Sequence, residues 1–236
     1  MIHTPRPLLG LRAAAALVVV LAALGCTSPS RSTSEATGPD QLEFEFDRIN
    51  PPGHMDQTLL IANSGTSAVI PTLEITPVDR GGAVLPGVTV STAFGTDRGK
   101  VVVPARKTTI DVLAFAGDGA ANVADVRVSV QEMTTVAFPA APQDVVVEAV
   151  DAAGQSTSKF STFDAVALAN PNSEKVSVGV VCMLWGESPD GQPQQVHEVI
   201  PVGFTSIARN GSATIRATGD AKNGCGSLKA FFSPPA

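Results

Sequence analysis

The 236-residue chain has no tyrosine, a single tryptophan and three histidines, and only 5% of it is aromatic. That scarcity argues against a platform of aromatic rings for holding sugars. Charged residues are 16% of the chain. They form no long Glu/Lys/Leu runs, no heptads and no capping boxes ahead of apolar stripes, which sets aside helical bundles and coiled coils. Sixteen basic residues face 22 acidic ones, and no Lys/Arg cluster stands out. A basic patch for nucleic acid or anionic lipid headgroups is therefore missing. The apolar run Ala13 to Leu24 is well short of the roughly 20 residues needed to cross a bilayer. The two cysteines of the C-terminal half, Cys182 and Cys225, with no histidine at ligand spacing, do not fill a tetrahedral zinc site.

What is present begins at the N-terminus. Arg6 and Arg12 lie in a short basic start, Ala13 to Leu24 is apolar throughout, and Ala23-Leu24-Gly25-Cys26 closes the run ahead of a Ser/Thr/Pro-rich stretch. A basic region, a short apolar region and small residues at the cut are the marks of a secretory signal peptide. With a cysteine directly after the small residue, residues 1–25 resemble a bacterial lipoprotein signal peptide. Ala23 stands where that family usually has leucine, with Leu24 next. The resemblance implies that Cys26 takes a diacylglycerol on its thiol and becomes the new N-terminus. The protein would then be held by lipid on the outer, extracytoplasmic face of the cell membrane. The alternative is ordinary secretion with cleavage elsewhere and Cys26 discarded or free. Loss of the signal removes Arg6 and Arg12 and no acid, so 14 basic residues would face 22 acidic ones, a net charge of −8.

Export agrees with the remaining cysteines. Cys182 and Cys225 are a pair left over in an exported chain, and such pairs most often form a disulfide. Residues 26–40 are Ser/Thr/Pro/Gly-rich without apolar pattern and are expected to be a disordered tether. A flexible coil of this length would reach roughly 20 Å.

From Leu42 the pattern changes. Leu42, Phe44 and Phe46 alternate with Glu43, Glu45 and Asp47, the period of a strand with one wet face. Further strands are expected at Thr58–Ala62, Ala68–Thr76, Lys100–Val103, Thr108–Phe115 and Val123–Glu132. Phe138-Pro139-Ala140-Ala141-Pro142 then interrupts, and a second strand set starts at Val145. Twenty-one glycines and 18 prolines punctuate short valine-rich runs, an all-β profile.

The second set repeats the first. Leu59-Leu60-Ile61-Ala62-Asn63 corresponds to Val166-Ala167-Leu168-Ala169-Asn170 at an offset of 107 residues. Val69, Leu73 and Ile75 fall on Val176, Val180 and Cys182 at the same offset. A turn follows in each, Asp79 to Gly82 and Ser188 to Gly191. Arg106–Ile110 mirrors Arg209–Ile215 with two extra residues, and Val126–Val130 mirrors Leu228–Phe232. Two domains of about 100 residues suit β-sandwiches. The strand ending in Asn, the polar turn and the long apolar strand resemble immunoglobulin-like sandwich domains of bacterial lipoproteins. Ala169-Asn170-Pro171-Asn172 also resembles the Asn-Pro-Asn turn of late-embryogenesis-abundant-type sandwiches. The implied architecture is all-β: two tandem Ig-like β-sandwiches, at 41–137 and 144–234, joined by a linker at 138–143. Cys182 and Trp185 share one strand, which departs from the antibody pattern, and such a fold does not imply a function.

Little in the chain points to chemistry. No serine sits in a Gly-x-Ser-x-Gly elbow beside His54 or His197, so no catalytic residue is assigned. His54-Met55 would suit soft-metal binding, but Met133 and Met183 show no matching spacing, and no metal or cofactor is assigned. Asp118-Gly119 and Asp125 lack the dense oxygen ligands of a calcium loop. Gly81-Gly82 and Gly224-Cys225-Gly226 lack the lysine and helix of a phosphate loop. Asn210-Gly211-Ser212 reads as a hairpin turn.

One strand breaks the pattern. In Val176–Trp185 one face is Val176, Val178, Val180, Cys182 and Leu184, and the other turns apolar at Val181, Met183 and Trp185. A half-buried strand should not be apolar on both faces. Either the chain covers this end itself, or these three residues form a contact surface. The sequence thus leads to a lipid-anchored, non-catalytic binding or scaffolding module at the cell envelope, with an envelope protein as partner. An extracytoplasmic ligand or metal carrier is the alternative, and a hydrolase a further one.

Overall fold

The computed structural model describes residues 38–47, 57–186 and 196–235. All the regular structure in these residues is antiparallel β, apart from four short 3-10 turns. In the first half, β1 (Leu42–Asp47), β2 (Thr58–Asn63), β5 (Thr108–Gly117) and β4 (Val88–Thr92) form a four-stranded sheet in that order. Opposite it lie β3 (Ala68–Val78) and β6 (Asp125–Val136). In the second half, β11 (Ser212–Arg216), β8 (Ala165–Ala169) and β7 (Val146–Val150) form one sheet. β10 (Val196–Ile207), β9 (Val176–Trp185) and β12 (Ser227–Phe232) form the other.

Period-2 alternation builds the cores. Leu42, Leu59, Ile61 and Leu113 meet Val69 and Leu73 across the first half. Val166, Leu168 and Ala149 meet Val176, Val178, Val180 and Cys182 across the second. Each core draws on both sheets of its half, as sheets packed face to face must.

The internal repeat is visible in the hydrogen bonds. Asn63 and Asn170 are both 2% exposed. The Asn63 Nδ2 donates to Ser67 O (2.9 Å) and Val103 O (3.1 Å), and its Oδ1 accepts from Gly65 N (2.9 Å). The Asn170 Nδ2 donates to Glu174 O (2.8 Å) and to Ile207 O and Ala208 O, and its Oδ1 accepts from Asn172 N (2.9 Å). In both cases a buried amide serves the i+2 amide and the i+4 carbonyl of a tight turn and ties that turn to a neighbouring segment. A short polar side chain that can imitate main chain suits this place.

Two of the repeat's correspondences shift. Arg106 and Asn210 take the same left-handed conformation (φ 55 and 49°), and the next residues accept equivalent bonds, Asn63 N to Lys107 O and Asn170 N to Gly211 O (both 2.9 Å). Arg106 therefore matches Asn210 with no extra residues between the halves here. In the ladders Ile75 pairs with Val128 and Cys182 with Leu228, so Val128 rather than Val126 matches Leu228. A two-residue slip keeps every side chain on its own face, so the apolar pattern could not reveal it.

The expected strand at Lys100–Val103 is not one. Only a single bridge, Val69 to Val103, forms there. Val101, Val102 and Val103 are nonetheless fully buried: Val103 joins the first-half core beside Val69, while Val101 packs in the core shared with the second half and Val102 N donates to Phe232 O (2.9 Å). The described residues of both halves accordingly belong to one compact unit.

Candidate functional site

The two halves meet on the outer face of the β10-β9-β12 sheet. Val181, Met183 and Phe231 pack there with Phe94, Val101 and Val112 of the first half. The Phe94 and Phe231 rings are stacked, with centroids 4.7 Å apart and planes 2° from parallel. Of the two alternatives for this face, coverage by the chain itself is the one seen at Val181 and Met183, which are 2% and 3% exposed. Trp185 lies at the margin, half-buried, its Nε1 donating to Ser227 Oγ (3.1 Å). Gly179 keeps the face flat. A Cβ there would sit 2.3 Å from Phe231 and 2.7 Å from Phe204.

Asp111, on β5, holds the loop that carries Phe94. It is fully buried, and its carboxylate accepts from Phe94 N (2.7 Å), Thr96 N (3.0 Å), Thr96 Oγ1 (2.7 Å) and Val112 N (2.8 Å). Burial raises its pKa above the ordinary value, against the lowering effect of these donors.

Beside this joint runs a cleft of about 180 Å³ to which both halves contribute. Lys107, Thr108, Thr109 and Ile110 form one wall, Lys229, Ala230, Phe231 and Phe232 the other, with Asp144 and Pro142 from the connecting segment. Consecutive residues line each wall because each wall is a strand edge. On β5, Lys107 O and Leu113 N bond toward β2. By alternation Thr108, Ile110 and Val112 turn their main-chain groups the other way. β4 pairs only with residues 113–117, and Val112 O is taken by Ala93 N (2.9 Å). On β12, Ser233 N bonds toward β9 (2.9 Å), so Ala230 and Phe232 face outward, and Phe232 O is taken by Val102 N. The main-chain N–H and C=O of Thr108, Ile110 and Ala230, and the N–H of Phe232, have no partner among the described residues. Lys107 and Lys229 are exposed, and neither has an ion-pair partner among the described residues.

The other expected positions are quickly placed. Cys182 and Cys225 are disulfide-bonded and buried, bridging β9 to the segment that enters β12. His197 is exposed on β10, the extra residue of a bulge between Val196 and Glu198. Met133 is half-buried and accepts a bond from Gln41 Nε2 (3.4 Å). Asp125 accepts from its neighbour Val126 N (2.7 Å). Among the described residues no group of three His, Cys, Asp or Glu side chains converges as a metal site. Cys26, His54, Met55 and the turn at Ser188 to Gly191 lie outside the described residues.

The sequence carried no sign of the cleft. Its walls are main-chain groups, and Lys107, beside β5, and Lys229, within β12, read as ordinary solvated residues. The chain matches no protein-family model, no curated protein and no solved structure.

Proposed function

We propose that this chain is a lipid-anchored, extracytoplasmic protein of the cell envelope that acts as a non-catalytic binding or scaffolding module. On this reading residues 1–25 are a lipoprotein signal peptide, Cys26 carries the lipid, and residues 26–40 are a flexible tether. Two Ig-like β-sandwiches, 41–137 and 144–234, follow around a linker at 138–143. The anchor rests on the basic, apolar and small-residue succession ending at Cys26. The binding role rests on one observation, the cleft whose two walls are strand edges with open main-chain donors and acceptors. Such edges are pairing surfaces, and proteins otherwise blunt or cover them.

The partner in this proposal is an envelope protein. The test places a photo-crosslinking residue at Thr109 in the full, lipidated chain and irradiates intact cells. A discrete adduct to one envelope protein, lost when the crosslinker is moved to exposed Arg80 on the β3–β4 loop, is the expected result. Equal, diffuse labelling from both positions would contradict it.

A further inference from the structure

We propose that the cleft between β5 and β12 receives an extended, carboxylate-bearing peptide segment of a partner protein, which pairs as a strand with both walls. The proposal deepens the binding-module reading and rests on it. Three features of the cleft carry it together.

The first is the main chain. Thr108 and Ile110 on one wall and Ala230 and Phe232 on the other point N–H or C=O groups into the same space. Outward groups recur at every second residue on each wall, which is the spacing at which an added strand bonds. An extended peptide is the ligand that satisfies such a row, because its own donors and acceptors repeat with the same period. The four residues Lys107 to Ile110 give room for about four residues of it, at roughly 3.3 Å each.

The second is closure at one end. Val102 N bonds Phe232 O, and Phe94 is stacked on Phe231, so the two halves are already joined beside the cleft. β5 and β12 share no ladder of their own. A strand inserted between them would link the β1-β2-β5 ladder to the β12-β9-β10 ladder without opening the joint.

The third is charge. The chain as a whole is acidic, with a net charge of −6. Yet the cleft presents Lys107 and Lys229, one from each wall and neither ion-paired among the described residues, against the single carboxylate of Asp144. Acidic side chains on the bound segment complement that excess, and rim charges of this kind act on association rate and partner choice. The apolar rings of Phe231 and Phe232 leave the alternate side chains an apolar surface to lie on.

The experiment titrates the mature chain, residues 26–236 and isotopically labelled, with a blocked peptide of alternating valine and glutamate. A valine–lysine peptide and the valine–glutamate peptide N-methylated at its valines serve as comparisons. Saturable binding of the valine–glutamate peptide is expected, with amide shifts and slowed hydrogen exchange at Thr108, Ile110, Ala230 and Phe232. N-methylation should abolish it, since it removes the strand's donors. The double variant Lys107→Glu with Lys229→Glu should weaken binding about tenfold and reverse the preference toward the lysine peptide. The N-methylated comparison uses unmodified protein, so it decides the matter even if the double variant fails to fold. Absence of saturable binding, or equal binding of the N-methylated peptide, overturns the proposal. Shifts confined to other strands overturn this site while leaving the binding-module reading intact. That wider reading fails separately, if the crosslink at Thr109 captures nothing in the envelope.

Discussion

Asp111 is the residue on which the junction most depends. A fully buried carboxylate is costly, and four donors, three of them from Phe94 and Thr96, offset part of that cost. Phe94 is thereby fixed where it can stack on Phe231, a contact worth about 0.5–1.5 kcal/mol beyond the area it buries. Asp111→Asn turns an amide N–H₂ toward donors and should cost about 1–3 kcal/mol. The pH dependence has a definite sign. Burial raises the folded-state pKa of Asp111, so the folded chain binds this proton more tightly than the unfolded one. Its contribution is then fully present below the ordinary value of about 3.9 and is lost as pH rises through the folded-state pKa. Urea melts of wild type and Asp111→Asn should show the gap between them narrowing as pH rises from about 4 toward neutrality. A gap that widens over that range would mean that the four hydrogen bonds outweigh burial.

Among the elements, β9 shows what the sequence reveals and what it conceals. Its inward face, Val176 to Leu184, and the Leu59–Asn63 and Val166–Asn170 repeat were legible, because apolar alternation is a local signal. The second apolar face at Val181 and Met183 was legible as an anomaly only. What covers it is Phe94, Val101 and Val112, distant in sequence: Phe94 from the loop after β4, Val101 from the segment that looks like a strand, and Val112 from β5 itself. β4 went unseen because Val88–Thr92 is short and one-sided, and it pairs with β5 rather than with β3. The cleft was invisible for a different reason: strand edges are defined by the absence of a neighbour, which no single segment records. The disulfide was legible from the cysteine count once Cys26 is set aside for the proposed anchor. It closes a loop of sequence separation 43 between β9 and the entry to β12, for which the chain-entropy model gives about 4 kcal/mol. Reduction should lower the melting temperature, and hydrogen exchange should speed up first in β9, β10 and β12. Uniform acceleration across β1, β2 and β5 as well would show that the bridge braces both halves equally.

At the scale of the whole molecule, the two halves have separate cores and a third one in common. Residues 144–234 expressed alone would present Val181, Met183 and Phe231 to water, an apolar face that promotes association. The fragment should bind a hydrophobic dye and self-associate, and Val181→Ser with Met183→Ser should reverse both, while the full chain does neither. A monomeric, dye-silent fragment would mean that the shared core is dispensable.

The proposed role needs the protein at a membrane, since a cleft for an envelope partner serves only a chain that is held beside it. Stable anchoring takes two acyl chains or an equivalent pair of signals. The decisive measurement is intact mass on protein extracted from the membrane fraction of the producing cell, for wild type and Cys26→Ala side by side. The account predicts that wild type begins at Cys26 and carries the added mass of a diacylglycerol, and that Cys26→Ala carries none and leaves the membrane. Wild type without lipid on Cys26, or a Cys26→Ala variant that stays membrane-bound through a salt wash, would contradict it.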